Sequence, residues 1–291
     1  MAPPLRPRGR TGPFTGSVRD GDAGSLIVYL ATYPRSGHAL TRTLIRRNFG
    51  LLVSNGYPSP PRVEKPEMQL AEAPEPVEGF PGGLAWGPWT LVYRSPTSGQ
   101  RLRMLKNDAL RILTPDLRKR LAAEPNLFLV KTHERAPGPC FPGEMSIRMV
   151  RHPGAALASL VRMFQDFTPE KAVSLAEAIR GVNVPGGDWS SYQQSWAEAD
   201  IPSIRLSYEA AFEDQTQAVR DIGALLGLPT PAVVAGFSIA EAHAANPKRN
   251  PGQGIDGWRA STSEEDLELL WRLHGQTAEA FGYARDLDMP A

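Results

Sequence analysis

The sequence predicts an α/β protein: a central parallel β-sheet flanked by helices on both faces. Three observations predict it. Short apolar, β-leaning runs of buried-strand length alternate with segments of helical periodicity. Two of those runs end in turns containing Pro and Gly that pass directly into a helix. No segment repeats internally, so the alternation belongs to one domain and not to an array.

Ser25 to Tyr33 is an apolar run of strand length, and Ala39 to Asn48 then reads as a helix stopped near Gly50. Asn126 to Val130 and Met145 to Val150 are further buried-strand patterns. The second leads into a helix with Leu157, Leu160, Val161 and Phe164 on one face. Ser203 to Ser207 is the fourth strand. Its helix carries Ala218, Val219, Ile222, Leu225 and Leu226 before a Gly227 stop. Thr262-Ser-Glu-Glu265 reads as a capping box opening a last helix that buries Leu267, Leu270 and Trp271. Around this domain, expected over 25–285, residues 1–24 form a Pro- and Arg-rich tail too poor in apolar side chains to offset its ordering entropy. Residues 286–291 form a C-terminal tail. The Pro-rich interval from Asn55 to Gly83, followed by Trp86, Trp89 and Tyr93, makes 55–105 the expected lid or acceptor-binding insertion.

Composition narrows the function classes. The chain has 291 residues with 32 Lys and Arg against 31 Asp and Glu, a balance without the basic excess that nucleic-acid binding requires. The single Cys140 excludes an internal disulfide framework and a multi-cysteine zinc site. The longest apolar stretches, Ser25 to Tyr33 and Ala155 to Val161, fall well short of the ~18 residues of a membrane span. No apolar signal-peptide core follows Met1, so a cytoplasmic protein is expected, with no membrane and no nucleic-acid partner. The 28 prolines and 27 glycines make up about a fifth of the chain, against roughly an eighth ordinarily, so long connections are expected.

Three strand ends carry the chemistry. Tyr33-Pro34-Arg35-Ser36-Gly37-His38 turns from a strand into a helix N-terminus, where backbone N–H groups and the positive dipole end favour an anion. Arg35 adds a fixed charge and Ser36 a hydroxyl. The G-x-x-x-x-G-K-[ST] loop of nucleoside triphosphatases occurs nowhere in the chain. Arg151 likewise leaves a strand tip, and Ser159 follows about two helical turns later on a side distinct from the apolar stripe. The third is Val130-Lys131-Thr132-His133.

From about Ser25 to about Tyr283, the chain resembles the sulfotransferases that use 3′-phosphoadenosine-5′-phosphosulfate (PAPS). The resemblance implies a P-loop-NTPase-like three-layer fold. Thr32 to Gly37 is similar to the family's loop for the 5′-phosphosulfate, which implies that Arg35, Ser36, Gly37, His38 and Ala39 line the sulfuryl-donor site. Lys131-Thr-His133 resembles the catalytic strand. Arg151 and Ser159, at the family's eight-residue spacing, resemble its 3′-phosphate pair. Gly187-Asp-Trp189, Ser195-Trp196 and Leu206-Ser-Tyr208-Glu209 are similar to stretches of bacterial members, which adds Tyr208 to the implied nucleotide site. Arg249 with Gly252, Gly254 and Gly257-Trp258-Arg259 resembles the C-terminal Gly-rich loop.

The departures are specific. His38 stands where the family usually has Thr, Leu40 where a Trp often stacks on adenine, and Arg35 where the cytosolic group has Lys. The stretched Arg249-Asn-Pro-Gly-Gln-Gly254 leaves Lys248, Arg249 and Arg259 as alternatives for one role.

The expected reaction is in-line sulfuryl transfer to a hydroxyl or amine. Arg35 and Lys131 would stabilise the developing charge, and neutral His133, with His38 second, would take the proton. His152, His243 and His274 lack such context. No metal is expected, since the five histidines form no i, i+4 pair. A nucleotide-dependent small-molecule kinase is the runner-up, lacking the Walker lysine and an evident Mg²⁺ carboxylate. A non-catalytic nucleotide-binding relative is third, with intact Lys131 and His133 against it. The expected acceptor is a small alcohol, phenol or glycoside against an aromatic wall drawn from Trp86, Trp89, Tyr93, Phe164, Phe167, Trp189 and Tyr192.

Overall fold

β1 (Leu26–Thr32) is an almost continuous apolar run, and its residues from Ile27 to Thr32 are buried because both of its faces are covered. A computed structural model describes residues 26–51, 53–55, 75–76, 89–94, 101–105, 118–119, 127–245 and 257–285. The other strands are β2 (Ser54–Asn55), β3 (Glu75–Pro76), β4 (Trp89–Arg94), β5 (Arg101–Leu105), β6 (Leu127–Thr132), β7 (Glu144–Val150) and β8 (Ser203–Ser207). They form one sheet in the order β3-β4-β5-β6-β1-β7-β8, with β2 also on β6. The four strands β6-β1-β7-β8 are mutually parallel, β5 joins β6 in parallel, and β4 and β3 follow with antiparallel pairing. The register sets Thr32 beside Met149 on one side and Ala31 beside Thr132 on the other, so the strands end at a common level.

Alternation along β1 divides the core. Ile27, Tyr29 and Ala31 face one layer, made by α2 (Pro153–Phe167), α3 (Leu175–Ile179), α4 (Trp189–Glu198) and α8 (Glu264–Ala280). Val28 and Leu30 face the other, made chiefly by α1 (His38–Phe49) and α6 (Gln215–Leu226). α5 (Tyr208–Glu213) follows β8 directly, and α7 (Ile239–Ala245) precedes the C-terminal segment. Gly50 and Gly227 end α1 and α6 in the left-handed conformation, as their sequence positions predict.

The three-layer α/β arrangement is the one expected, with two strands the sequence reading does not place and two corrections in the last helix. Trp89–Arg94 and Arg101–Leu105, within the 55–105 interval, are strands that widen the sheet: they pair antiparallel with each other as a hairpin, and β5 joins β6 through Leu102 and Leu127. The last helix is capped by Ser263, whose Oγ accepts from the Asp266 N–H, one residue later than the Thr262 box. Leu269 and Leu270 are its buried leucines, while Leu267 and Trp271 are only partly covered. The tails and most of the Pro-rich interval lie outside the described residues. Among the described residues, no helix is long and apolar enough to cross a membrane.

Candidate functional site

Four parallel strands ending together bring Tyr33, His133, Arg151 and Tyr208 to one edge of the sheet. After β1, the Ser36 N–H bonds the Tyr33 carbonyl at 3.0 Å, closing a turn with Pro34 and Arg35 at its centre. Arg35 has φ 65°, the left-handed conformation that the third position of such a turn demands and that normally falls to Gly or Asn. Gly37 has φ 102°, and a Cβ there would lie 2.4 Å from the Tyr208 ring. Glycine is therefore required twice over, for the backbone angle and for the close approach of Tyr208.

Arg35 donates from Nε to the Ser159 hydroxyl at 3.0 Å, and Arg151 donates from a terminal nitrogen to the Arg35 carbonyl at 3.1 Å. The Arg151 guanidinium lies 4.4 Å from the centre of the Tyr208 ring, a cation–π contact. Arg35, Arg151, Ser159 and Tyr208, assigned from three separate motifs, thus form one connected cluster. Beside it the buried Ser36 Oγ, and within it the Arg151 Nε, have no hydrogen-bond partner among the described residues. Unsatisfied buried donors beside two guanidinium groups suit an oxyanion. The N-terminus of α1 points the same way. Gly37 offers no side-chain cap to its N–H groups, whereas α2 is capped by His152 Nδ1, which accepts from the Gly154 N–H.

Lys131 and His133 stand at the end of β6, both buried. His133 Nδ1 bonds the Thr32 carbonyl. A carbonyl can only accept, so the proton resides on Nδ1 and the lone pair of the neutral ring is on Nε2. His38 packs edge-on against His133, ring centres 5.7 Å apart. Burial, and after it the Lys131 charge, hold the pKa of both imidazoles well below the ordinary histidine range. Both rings are therefore neutral at cellular pH. Among the described residues, no group of three His, Cys, Asp or Glu is placed to hold a metal ion.

Other assignments change. Trp189 and Tyr192 are fully buried in the core beneath the sheet and Phe164 almost so, which removes them from an acceptor wall. Phe167 is half-buried at the end of α2. Trp86 lies outside the described residues, as do Lys248, Arg249, Gly252 and Gly254, and Trp89 and Tyr93 are described only as strand positions. Ala39 is exposed in the first turn of α1. Trp258 stacks on His152 with centres 4.7 Å apart, a contact that a side chain at Gly154 would block.

Two functional contributions escape sequence reasoning. Glu209 accepts hydrogen bonds from the His152 N–H, the Ser207 hydroxyl and the Tyr283 hydroxyl, fixing the backbone just after Arg151. Its place in Leu206-Ser-Tyr208-Glu209 draws notice, but nothing local reveals those partners. Thr32 acts through its main-chain carbonyl, which leaves no side-chain signal.

No family model matches the sequence, and no curated protein matches it. Solved structures do match the fold. Mouse sulfotransferase SULT7A1, crystallised in complex with PAP, superposes with a TM-score of 0.53 at 14% identity over 90% of this chain and 90% of its own. The fold is that of a sulfotransferase. A sulfotransferase from Alicyclobacillus acidocaldarius also aligns, with a TM-score of 0.39 at 12% identity over 84% of this chain and 94% of its own. Within the sulfotransferase fold, the connected cluster lies where β1, β7 and β8 end, with Lys131 and His133 beside it at the end of β6.

Proposed function

We propose that the protein is a sulfotransferase that moves the sulfuryl group of PAPS to a hydroxyl or amine of a small organic acceptor. One observation carries the reading. The clustered cations and open helix N-terminus at Arg35, Ser36, Gly37, Arg151 and Ser159 adjoin a buried Lys131 and a neutral, oriented His133. The fold shared with a PAP-bound sulfotransferase supports it.

On this reading, the α1 N-terminus, Ser36 and Arg35 hold the 5′-phosphosulfate, while Arg151, Ser159 and Tyr208 hold the 3′-phosphate. Because Arg35 already bonds Ser159, the two phosphate subsites share one network. PAPS supplies the sulfuryl group and a phosphate leaving group, whose growing negative charge Arg35 and Lys131 stabilise. His133 takes the acceptor proton at Nε2, its Nδ1–H anchored on the Thr32 carbonyl. His38, against the same ring, is the alternative proton acceptor. The acceptor class is an alcohol, phenol or glycoside. Incubation with radiolabelled PAPS and a panel of these acceptors tests the reaction. Sulfated product with release of PAP is expected, and intact PAPS across the panel contradicts it.

A further inference from the structure

We propose that Trp196 and Ser195 are positioning residues for His133, acting through the backbone of the segment that follows it. The inference rests on the reading of His133 as the proton acceptor.

His133 is the first residue after β6, and residues 133–136 have no regular secondary structure. Their backbone groups leave the sheet ladder and need other partners. α4 supplies them. The Trp196 indole donates from Nε1 to the Glu134 carbonyl at 3.0 Å. The Ser195 hydroxyl accepts from the Ala136 N–H at 3.2 Å and donates to the Tyr192 carbonyl at 2.8 Å.

The turn leading into α4 closes the other side. A Cβ at Gly186 would lie 2.4 Å from the His133 carbonyl oxygen, so only glycine lets the turn approach that closely. Arg135 donates to the Gly186 carbonyl at 3.0 Å, and the Tyr33 hydroxyl donates to the Gly187 carbonyl at 3.0 Å. The segment after His133 is thereby gripped between the 186–187 turn and the inward face of α4.

Trp196 is a rigid anchor. It is fully buried, and its ring lies 5.4 Å from that of Tyr29, near the middle of the central strand. A buried indole needs a partner for its N–H, and here that partner is a main-chain carbonyl one residue beyond the imidazole. The imidazole is held from its other end by Thr32 on β1. Two supports, one on the ring and one on the backbone, fix where Nε2 points. Neither Trp196 nor Ser195 belongs to the phosphate cluster, so their effect should fall on turnover and not on nucleotide binding.

The test uses the full chain carrying Trp196→Phe, which keeps an aromatic ring without its N–H, or Ser195→Ala, which perturbs the core less. Loosening His133 admits water to a ring that burial, Lys131 and Arg35 hold neutral, with His38 against it. The expected result is a loss of kcat of about tenfold for Trp196→Phe and several-fold for Ser195→Ala, since small misplacements of a reacting group are costly. PAP affinity should stay within about twofold. The His133 imidazole, followed by NMR titration, should move up toward ~6.5. Unchanged kcat and unchanged titration in both variants overturn the proposal, as does a parallel loss of PAP affinity and kcat. If the wild-type chain transfers no sulfuryl group, the assigned reaction fails, while the imidazole titration, which needs no turnover, still decides whether α4 holds His133.

Discussion

The two halves of the site are built on opposite principles. The half proposed to bind phosphate, Arg35, Ser36, Arg151, Ser159 and Tyr208, is a network of charged hydrogen bonds at three strand ends, with donors that have no partner among the described residues. The half proposed to carry out transfer, buried Lys131 and His133 with half-buried His38 against them, relies on desolvation, which together with the Lys131 charge lowers the pKa of both imidazoles. Binding an anion calls for several partly satisfied cations, whereas accepting a proton calls for one oriented lone pair. Substitutions in the two halves should therefore separate affinity from turnover.

The largest effect should come from His133→Ala. Loss of a general base lowers kcat by about two to four orders of magnitude, with PAP affinity nearly intact by calorimetry. Full turnover in that variant would transfer the role to His38. Arg151→Ala should do the reverse, weakening nucleotide binding by a few kcal/mol through loss of a charged hydrogen-bond partner. Gly37→Ala comes next. It adds about 1–3 kcal/mol of backbone strain and displaces Tyr208, so weaker PAP binding and a lower melting temperature are expected together.

The smallest effect is a pH dependence of stability. Burial lowers the His152 pKa to about 4, while the unfolded chain titrates near 6.5. On acidification the unfolded state takes the proton first, so stability present above pH 6.5 is lost progressively toward pH 4. Half-buried His38 and buried His133 and His274 act in the same direction. Thermal melts from pH 7.5 to 4.5 should fall, and His152→Asn, which retains a capping group for α2, should flatten that fall.

The same contrast explains what the sequence made legible. Phosphate-half residues lie in short motifs at strand ends, where Pro34, Gly37 and Pro153 mark the turns, so Arg35, Arg151 and Ser159 could be named before their mutual contacts were known. The four parallel strands were equally plain, because strands buried on both faces read as continuous apolar runs. Support for the transfer half was not readable. The Thr32 carbonyl reaches the His133 ring across the sheet, and the Trp196 indole reaches the Glu134 carbonyl from α4, between residues 101 and 62 apart in sequence. Trp189 and Tyr192 looked like an acceptor wall because an aromatic side chain in a sequence carries no sign of whether it faces a core or a cleft.

On the proposed function, this chain reads a nucleotide carrying both 5′- and 3′-phosphates. Calorimetric titration of the full chain with PAP and, separately, with the same nucleotide lacking its 3′-phosphate tests it most directly. Binding of PAP at least about tenfold tighter is predicted, roughly the 1.4 kcal/mol that one extra charged phosphate contact readily supplies. Equal affinity for the two nucleotides, or no binding of PAP, would contradict it.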